Sequence, residues 1–139
     1  MKALHQTGKA GEAADGMDIA FCVLSKDLKT LQYSGAFNSL LIVQGGELKE
    51  YRGDRMPIGI HHGEETAFKN HVIEVCKGDT IYIFSDGFAS QFGGPEGGKY
   101  KKSNFKNLLS EIYYRPMVEQ RNILEIELEK WKGSSDQID

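Results

Sequence analysis

A carboxylate stands at the end of an apolar run: Ile81-Tyr82-Ile83-Phe84 is followed directly by Ser85-Asp86-Gly87. A hard cation such as Mg²⁺ or Mn²⁺ takes rigidly held carboxylate oxygens, and an aspartate at a buried strand end supplies one. Asp-Gly is also ordinary turn chemistry, because both residues favour turns. On local pattern alone Asp86 is open to both readings, metal ligand and turn residue.

Other groupings are chemically weaker. Gly93, then four residues, then Gly98-Lys99 follows most of a phosphate-binding loop. However, Tyr100 replaces the hydroxyl residue that would hold Mg²⁺, and Pro95 removes a backbone N–H donor. The segment 93–98 reads instead as a flexible surface loop. His61-His62 are adjacent, so on an extended chain they point in different directions. With His71 they read as surface or loop residues, since no Cys or carboxylate completes a zinc-like spacing. No Gly-x-Ser-x-Gly elbow is present, and Cys22 and Cys76 lie in apolar runs without a positioned base. They read as reduced core residues. Lys99, Lys101, Lys102 and Lys106 form a basic cluster that reads as a solvated face.

The elements that would carry these residues are strands first and helices last. Met17, Ile19, Phe21 and Val23 alternate with Asp18, Ala20, Cys22 and Leu24, and both sets are fairly apolar. That pattern predicts a strand covered on both faces. Lys26-Asp27-Leu28-Lys29 is a polar turn into a second strand, Thr30 to Ser34. Leu40 to Val43 and Leu48 to Tyr51 flank Gln44-Gly45-Gly46-Glu47, where Gly-Gly suits a tight hairpin. Ala67 to Val75 and Thr80 to Phe84 form a further pair across Lys77-Gly78-Asp79. Ser103 is the expected N-cap of a helix bearing Phe105, Leu108, Leu109 and Ile112. Pro116 fits the first turn of a second helix whose apolar stripe is Met117, Leu124, Leu128 and Trp131, packing on a sheet and stopped by Gly133. The expected class is α+β with mostly antiparallel strands.

Composition sets further bounds. A net charge of −3 gives no electrostatic reason to expect nucleic acid as a partner. No apolar run approaches the ~20 residues of a membrane span, and the N-terminus lacks the apolar core of a signal peptide. The expectation is a cytoplasmic domain of ordinary size.

Taken in order, the motifs resemble the SpoIIE-like bacterial branch of the metal-dependent (PPM, type 2C) serine/threonine phosphatases. The matching stretches are Asp15-Gly16-Met17-Asp18-Ile19-Ala20, Tyr33-Ser34-Gly35-Ala36-Phe37-Asn38, Arg55-Met56-Pro57-Ile58-Gly59 and Lys77-Gly78-Asp79-Thr80. They continue with Phe84-Ser85-Asp86-Gly87-Phe88, Gln91-Phe92-Gly93-Gly94, Trp131-Lys132-Gly133 and Gln137-Ile138-Asp139. The resemblance implies a β-sandwich flanked by helices, here partial, with two C-terminal helices. It also implies two Mn²⁺ or Mg²⁺ ions that activate a water for attack on phosphoserine or phosphothreonine of a protein substrate. Asp86 and Asp139 match metal ligands of the family, and Gly87 shapes the turn beside Asp86.

The sequence also departs from the family pattern. The half that carries an Asp-containing strand and an Asp-Gly-x-Gly motif is absent, and the closing Asp-Asp motif is cut after Asp139. Asp15-Gly16 matches the start of a core strand, not that lost pair. Ser90 stands where close relatives often have Asp. The expectation is one incomplete phosphatase domain over residues 1–139, lacking the N-terminal metal-binding strands and the final strand, and inactive alone. The alternative is a non-catalytic regulatory or interaction module of the same ancestry. Missing strands would leave apolar edges able to pair between chains as a homo-oligomer.

Overall fold

The turn between the first two strands is set by hydroxyl and carboxylate chemistry. In the computed structural model, which describes residues 16–59 and 66–137, Ser25 Oγ donates to Asp27 Oδ1 (2.6 Å) and accepts from the Thr30 amide (2.9 Å). The Ser25 hydroxyl, and then the Lys29 amide, hold the Asp27 carboxyl below its usual range. This turn joins β1 (Ile19–Leu24) to β2 (Thr30–Ala36), which pair antiparallel with Ile19 opposite Ala36 and Leu24 opposite Leu31. Two glycines with positive φ, Gly45 (57°) and Gly46 (85°), close the hairpin between β3 (Leu40–Gln44) and β4 (Glu47–Tyr51). That is the conformation such a turn demands. β5 (His71–Glu74) and β6 (Thr80–Ile83) follow. β5 begins later than the expected Ala67, and residues 67–70 are outside any strand.

The six strands form two three-stranded sheets, in the orders β1-β2-β5 and β4-β3-β6. Between them Leu31, Tyr33, Leu40, Ile42, Ile73 and Val75 make the core, with Cys22, Tyr51 and Ile81 packed against it. His71 is half-buried rather than superficial. Its ring lies 5.6 Å from that of Tyr33 and 5.4 Å from that of Tyr51. Burial, then the charge of Lys69, lowers its pKa. Both cysteines are free thiols; Cys22 is half-buried as expected, whereas Cys76 is exposed just past β5.

The expectation that β1 is covered on both faces is overturned among the described residues. Ala20 and Cys22 pack on the core, but Phe21 and Val23 are about half exposed. The strand is apolar on both sides, and among the described residues only one side meets an apolar layer.

The described chain divides into two compact units. One runs through Ile42 and from Lys49 to Phe84; the other holds Val43–Leu48 and everything from Ser85 onward. In the second, a single helical turn, α1 (Gly87–Ser90), leads into two short strands, β7 (Phe92–Gly93) and β8 (Gly98–Lys99). These pair antiparallel, so residues 93–98 are a small hairpin, not the flexible loop expected. α2 (Lys102–Ile112) buries Phe105, Leu109 and Ile112, as its spacing predicts. Its N-cap is Lys101 at φ 76°, not Ser103, and no side chain caps it. α3 (Met117–Lys132) starts directly after Pro116 and ends at Gly133, which has positive φ. Leu124, Leu128 and Trp131 are half-buried along one stripe, but Met117 is 60% exposed and does not extend it.

Burial pushes the Tyr33 phenol up to about 12. Burial, followed by the Glu127 carboxylate, does the same to Tyr100. A phenol whose folded pKa exceeds its unfolded value of about 10 resists ionisation only in the folded state. Stability is therefore expected to be full below pH ~10 and to fall as the pH rises through about 12. Tyrosinate absorbance should show these phenols ionising together with loss of far-ultraviolet dichroism. Complete ionisation of all six tyrosines near pH ~10 with the fold intact contradicts this.

Candidate active site

The chain leaves β6 at Ile83, and Asp86 follows as the N-cap residue of α1 with φ −80° and ψ −6°. Gly87 is the first residue of that turn. The Asp86 side chain makes no cap bond to the turn's own amides. Its backbone carbonyl accepts from the Ser90 amide (2.8 Å), and its Oδ2 accepts from the Ser90 hydroxyl (2.9 Å). Asp86 is exposed, which corrects the expectation of a carboxylate at a buried strand end. The strand stops three residues earlier, and Ile83 is itself 58% exposed.

Exposure does not leave the turn loose, because the residues after Asp86 anchor it. The Phe88 ring lies 5.1 Å from that of Tyr100 and 4.9 Å from that of Phe105, and the Tyr100 ring meets Trp131 edge-on at 5.2 Å. Gln91, only 1% exposed, is the polar centre of this region. Its Nε2 donates to the carbonyls of Phe92 (3.0 Å) and Asp136 (2.9 Å). Its own carbonyl accepts from the Tyr100 amide (2.9 Å) and from Trp131 Nε1 (3.1 Å). Gly93 and Gly94 allow Trp131 to come this close. A Cβ on Gly93 would overlap the Trp131 carbonyl, and one on Gly94 would lie 2.6 Å from the indole ring. The Gly94 amide donates to the Trp131 carbonyl (2.7 Å), so that N–H is not free to cradle a phosphate. Tyr100 is buried with its hydroxyl on Glu127 (3.3 Å), which removes the remaining support for nucleotide binding.

Of the residues singled out from sequence, Asp86 and Gly87 stand together at the head of this anchored turn. Asp139, Asp15, His61 and His62 lie outside the described residues. Sequence patterning missed Phe88, Gln91 and Trp131 as the supports of the Asp86 turn. The available signal was Gly93-Gly94, two adjacent glycines that together with Trp131 permit backbone-to-ring contact. Gln91→Ala removes both bonds that this buried side chain donates, to the carbonyls of Phe92 and Asp136. It is expected to cost about 2–3 kcal/mol in denaturant unfolding. A loss below ~0.5 kcal/mol would show that the bracket is not structural.

Among the described residues no group of three or more His, Cys, Asp or Glu side chains is placed to hold a metal ion. Asp86 is a single exposed carboxylate with one oxygen already engaged by Ser90. The residues described here therefore do not by themselves fit a two-metal centre, which needs several carboxylates around ions ~3.5–4 Å apart. No described helix is long and apolar enough to cross a membrane.

The sequence matches the family described as Stage II sporulation protein E (SpoIIE) over residues 2–137. No curated protein matches it. Among solved structures, the SiaA-PP2C domain of Pseudomonas aeruginosa superimposes with a TM-score of 0.78 at 27% identity, covering 88% of this chain and 47% of that one. The phosphatase domain of the cell fate determinant SpoIIE from Bacillus subtilis (Mn presoaked) gives 0.61 at 17% identity, covering 88% and 52%. This chain thus spans about half the length of either solved domain.

Proposed function

This chain belongs to the SpoIIE family of PPM-type phosphatase domains, and from that premise we propose that it is the C-terminal part of a metal-dependent protein serine/threonine phosphatase. The observation that supports this is the Asp86-Gly87 turn: a carboxylate held in solvent by a firmly anchored helical turn, at a motif shared with the family. In this reading Asp86 and Asp139 are the chain's contribution to a Mn²⁺ or Mg²⁺ centre. Phosphorylated serine or threonine on a partner protein is the substrate, and the setting is the cytoplasm. The remaining ligands belong to the half of the domain that this chain does not cover, so no step of hydrolysis is assigned to these residues alone.

The test compares the 139-residue chain with and without Mn²⁺ on a phosphoserine peptide and on a small aryl phosphate. No turnover above the metal-free background is expected, because two carboxylates from one chain cannot hold a pair of divalent ions. Metal-dependent turnover that disappears in Asp86→Ala would refute the incomplete-centre reading while keeping the phosphatase one. A second reading, a non-catalytic module that binds phosphoproteins, draws on the lack of a ligand cluster among the described residues. It requires phosphopeptide binding that does not change on adding metal.

A further inference from the structure

The lysines between β8 and α2 stand against two local preferences of the chain. From Gly97 to Ser110 the sequence holds Lys99, Lys101, Lys102 and Lys106 and no aspartate or glutamate, although the whole chain has a net charge of −3. Lys101 is the N-cap residue of α2 and Lys102 its first residue, with no acidic residue in the first turn. That is the positive end of the helix macrodipole, where cations are disfavoured. Lys101 also takes φ 76° and ψ 142°, a backbone conformation that suits glycine and strains any residue with a side chain. Its own side chain offsets neither cost, being exposed and without an ion pair or hydrogen bond among the described residues. Local rules broken without a structural return mark positions kept for function.

Backbone bonds lay this segment along the Asp86 turn. Lys99 pairs with Phe92, the Tyr100 amide donates to the Gln91 carbonyl (2.9 Å), and the Lys101 amide donates to the Ala89 carbonyl (2.9 Å). Ala89 lies in α1, and Asp86 is the N-cap of that turn. Three residues of helix and one hydrogen bond put the Lys101 backbone on the order of 10 Å from Asp86. Lys99 and Lys101 flank the buried Tyr100, and both are exposed. Lys99 Nζ sits 5.5 Å from the centre of the Phe92 ring, which is itself 44% exposed. A basic rim with one open aromatic ring therefore borders the carboxylate turn.

We propose that Lys99, Lys101 and Lys102, with Phe92, bind acidic side chains of the protein substrate a few residues away from its phosphoserine. The proposal rests on the phosphatase reading above, in which Asp86 marks where the phosphoryl group is held. An extended peptide advances ~3.3 Å per residue, so a rim on the order of 10 Å away meets the residue about three positions from the phosphoserine. Charge sets the chemistry of the partner, because clustered ammonium groups attract carboxylates and repel basic segments. Nucleic acid fits less well. The chain as a whole is acidic, and one exposed ring is not a platform for successive bases.

The test follows fluorescence anisotropy of dye-labelled peptides added to the full 139-residue chain without metal. One phosphoserine peptide carries Asp about three positions to either side of the phosphoserine, and its comparator carries Asn there. The Asp peptide is expected to bind at least about tenfold tighter at low salt, with the difference shrinking as salt rises. Lys99→Ala and Lys101→Ala should each weaken the Asp peptide at least about threefold and leave the Asn peptide unchanged. Lys101→Gly separates function from fold: it relieves the backbone strain, so Tm should hold or rise while acidic-peptide affinity falls as in Lys101→Ala. Arg121→Ala is the control for charge alone. It lies beyond the far end of α2, where Gln120 holds the Tyr113 and Arg115 carbonyls, a helix length of about 16 Å from Lys102. Equal affinity for the two peptides, or an equal loss in Arg121→Ala, overturns the proposal. So does tighter binding of a single-stranded DNA oligomer than of the Asp peptide, and so does a Lys101→Gly chain that loses its fold while Lys99→Ala keeps full affinity. Mn²⁺-dependent hydrolysis of the same phosphopeptides by the complete domain tests the phosphatase reading separately. Binding without hydrolysis sinks that reading and spares the acidic-peptide site, and hydrolysis indifferent to the Asp flanks and the lysine variants does the reverse.

Discussion

Asp86→Ala, in the chain assembled with the other half of the domain, is expected to lower Mn²⁺-dependent kcat/KM on a phosphoserine peptide by more than about 10²-fold. Partners that merely orient a metal ligand typically cost 10–100-fold when removed, so loss of a ligand itself should exceed that range. The same substitution should hardly affect the fold. Asp86 is exposed, its side chain caps none of the turn's amides, and the hydrogen bond it accepts from Ser90 is between exposed groups. The anchoring of the turn lies with Phe88 and Gln91, which the substitution leaves in place. A stability change within about 1 kcal/mol is therefore expected. Asp86→Asn sharpens the test: it preserves an acceptor for the Ser90 hydroxyl and removes the charge. If Asn restores activity, Asp86 acts by shaping the turn and not by holding a cation. Direct Mn²⁺ titration of both variants supplies a readout independent of turnover.

Much of the fold was legible because its signals are local. Gly45-Gly46 demanded a tight turn and took positive φ at both positions, and Leu124, Leu128 and Trp131 repeat at helical spacing up to a glycine stop. The errors came where local preference met a different constraint. Ser103 is a better cap than Lys101 by side-chain chemistry, yet α2 starts off a backbone turn at Lys101 with φ 76° and uses no side-chain cap. β1 reads as doubly covered because Phe21 and Val23 are apolar. Periodicity reports which faces are apolar and not what is present to cover them. The support of the candidate site was the least legible part. Gln91 bonds to Asp136 across 45 residues and to Trp131 across 40, separations at which spacing carries no information. For Asp86 the environment was misread: the apolar run before it suggested burial, whereas the strand ends early and leaves the carboxylate in solvent.

Gly35→Ala is expected to destabilise the fold by about 3–5 kcal/mol, lowering Tm by roughly 10–20 °C in a domain of this size. Gly35 lies in β2 opposite Ala20 and is itself buried. A Cβ there would overlap both the Tyr33 hydroxyl and the Asn38 carbonyl, the two groups that hydrogen-bond to each other at 2.6 Å. Neither can retreat cheaply. Tyr33 is completely buried in the core. Asn38 follows Phe37, which already sits at φ 56° with its amide bonded to the Asp54 carbonyl. The Gly35 carbonyl in turn accepts from the Asp54 amide (2.8 Å), so a shift of β2 disturbs that bond as well. Overpacking a tight site costs about 1–3 kcal/mol, and separating a buried donor from its acceptor adds about 1–3 more. The cause can be divided experimentally with Tyr33→Phe, which alone should cost about 1 kcal/mol for the lost hydrogen bond. In the double variant the hydroxyl overlap is gone while the carbonyl overlap remains, so recovery should be partial and the two effects clearly non-additive. Full recovery would place the whole conflict at the hydroxyl. Strict additivity would mean that Gly35 acts through backbone freedom alone and that the packing account is wrong.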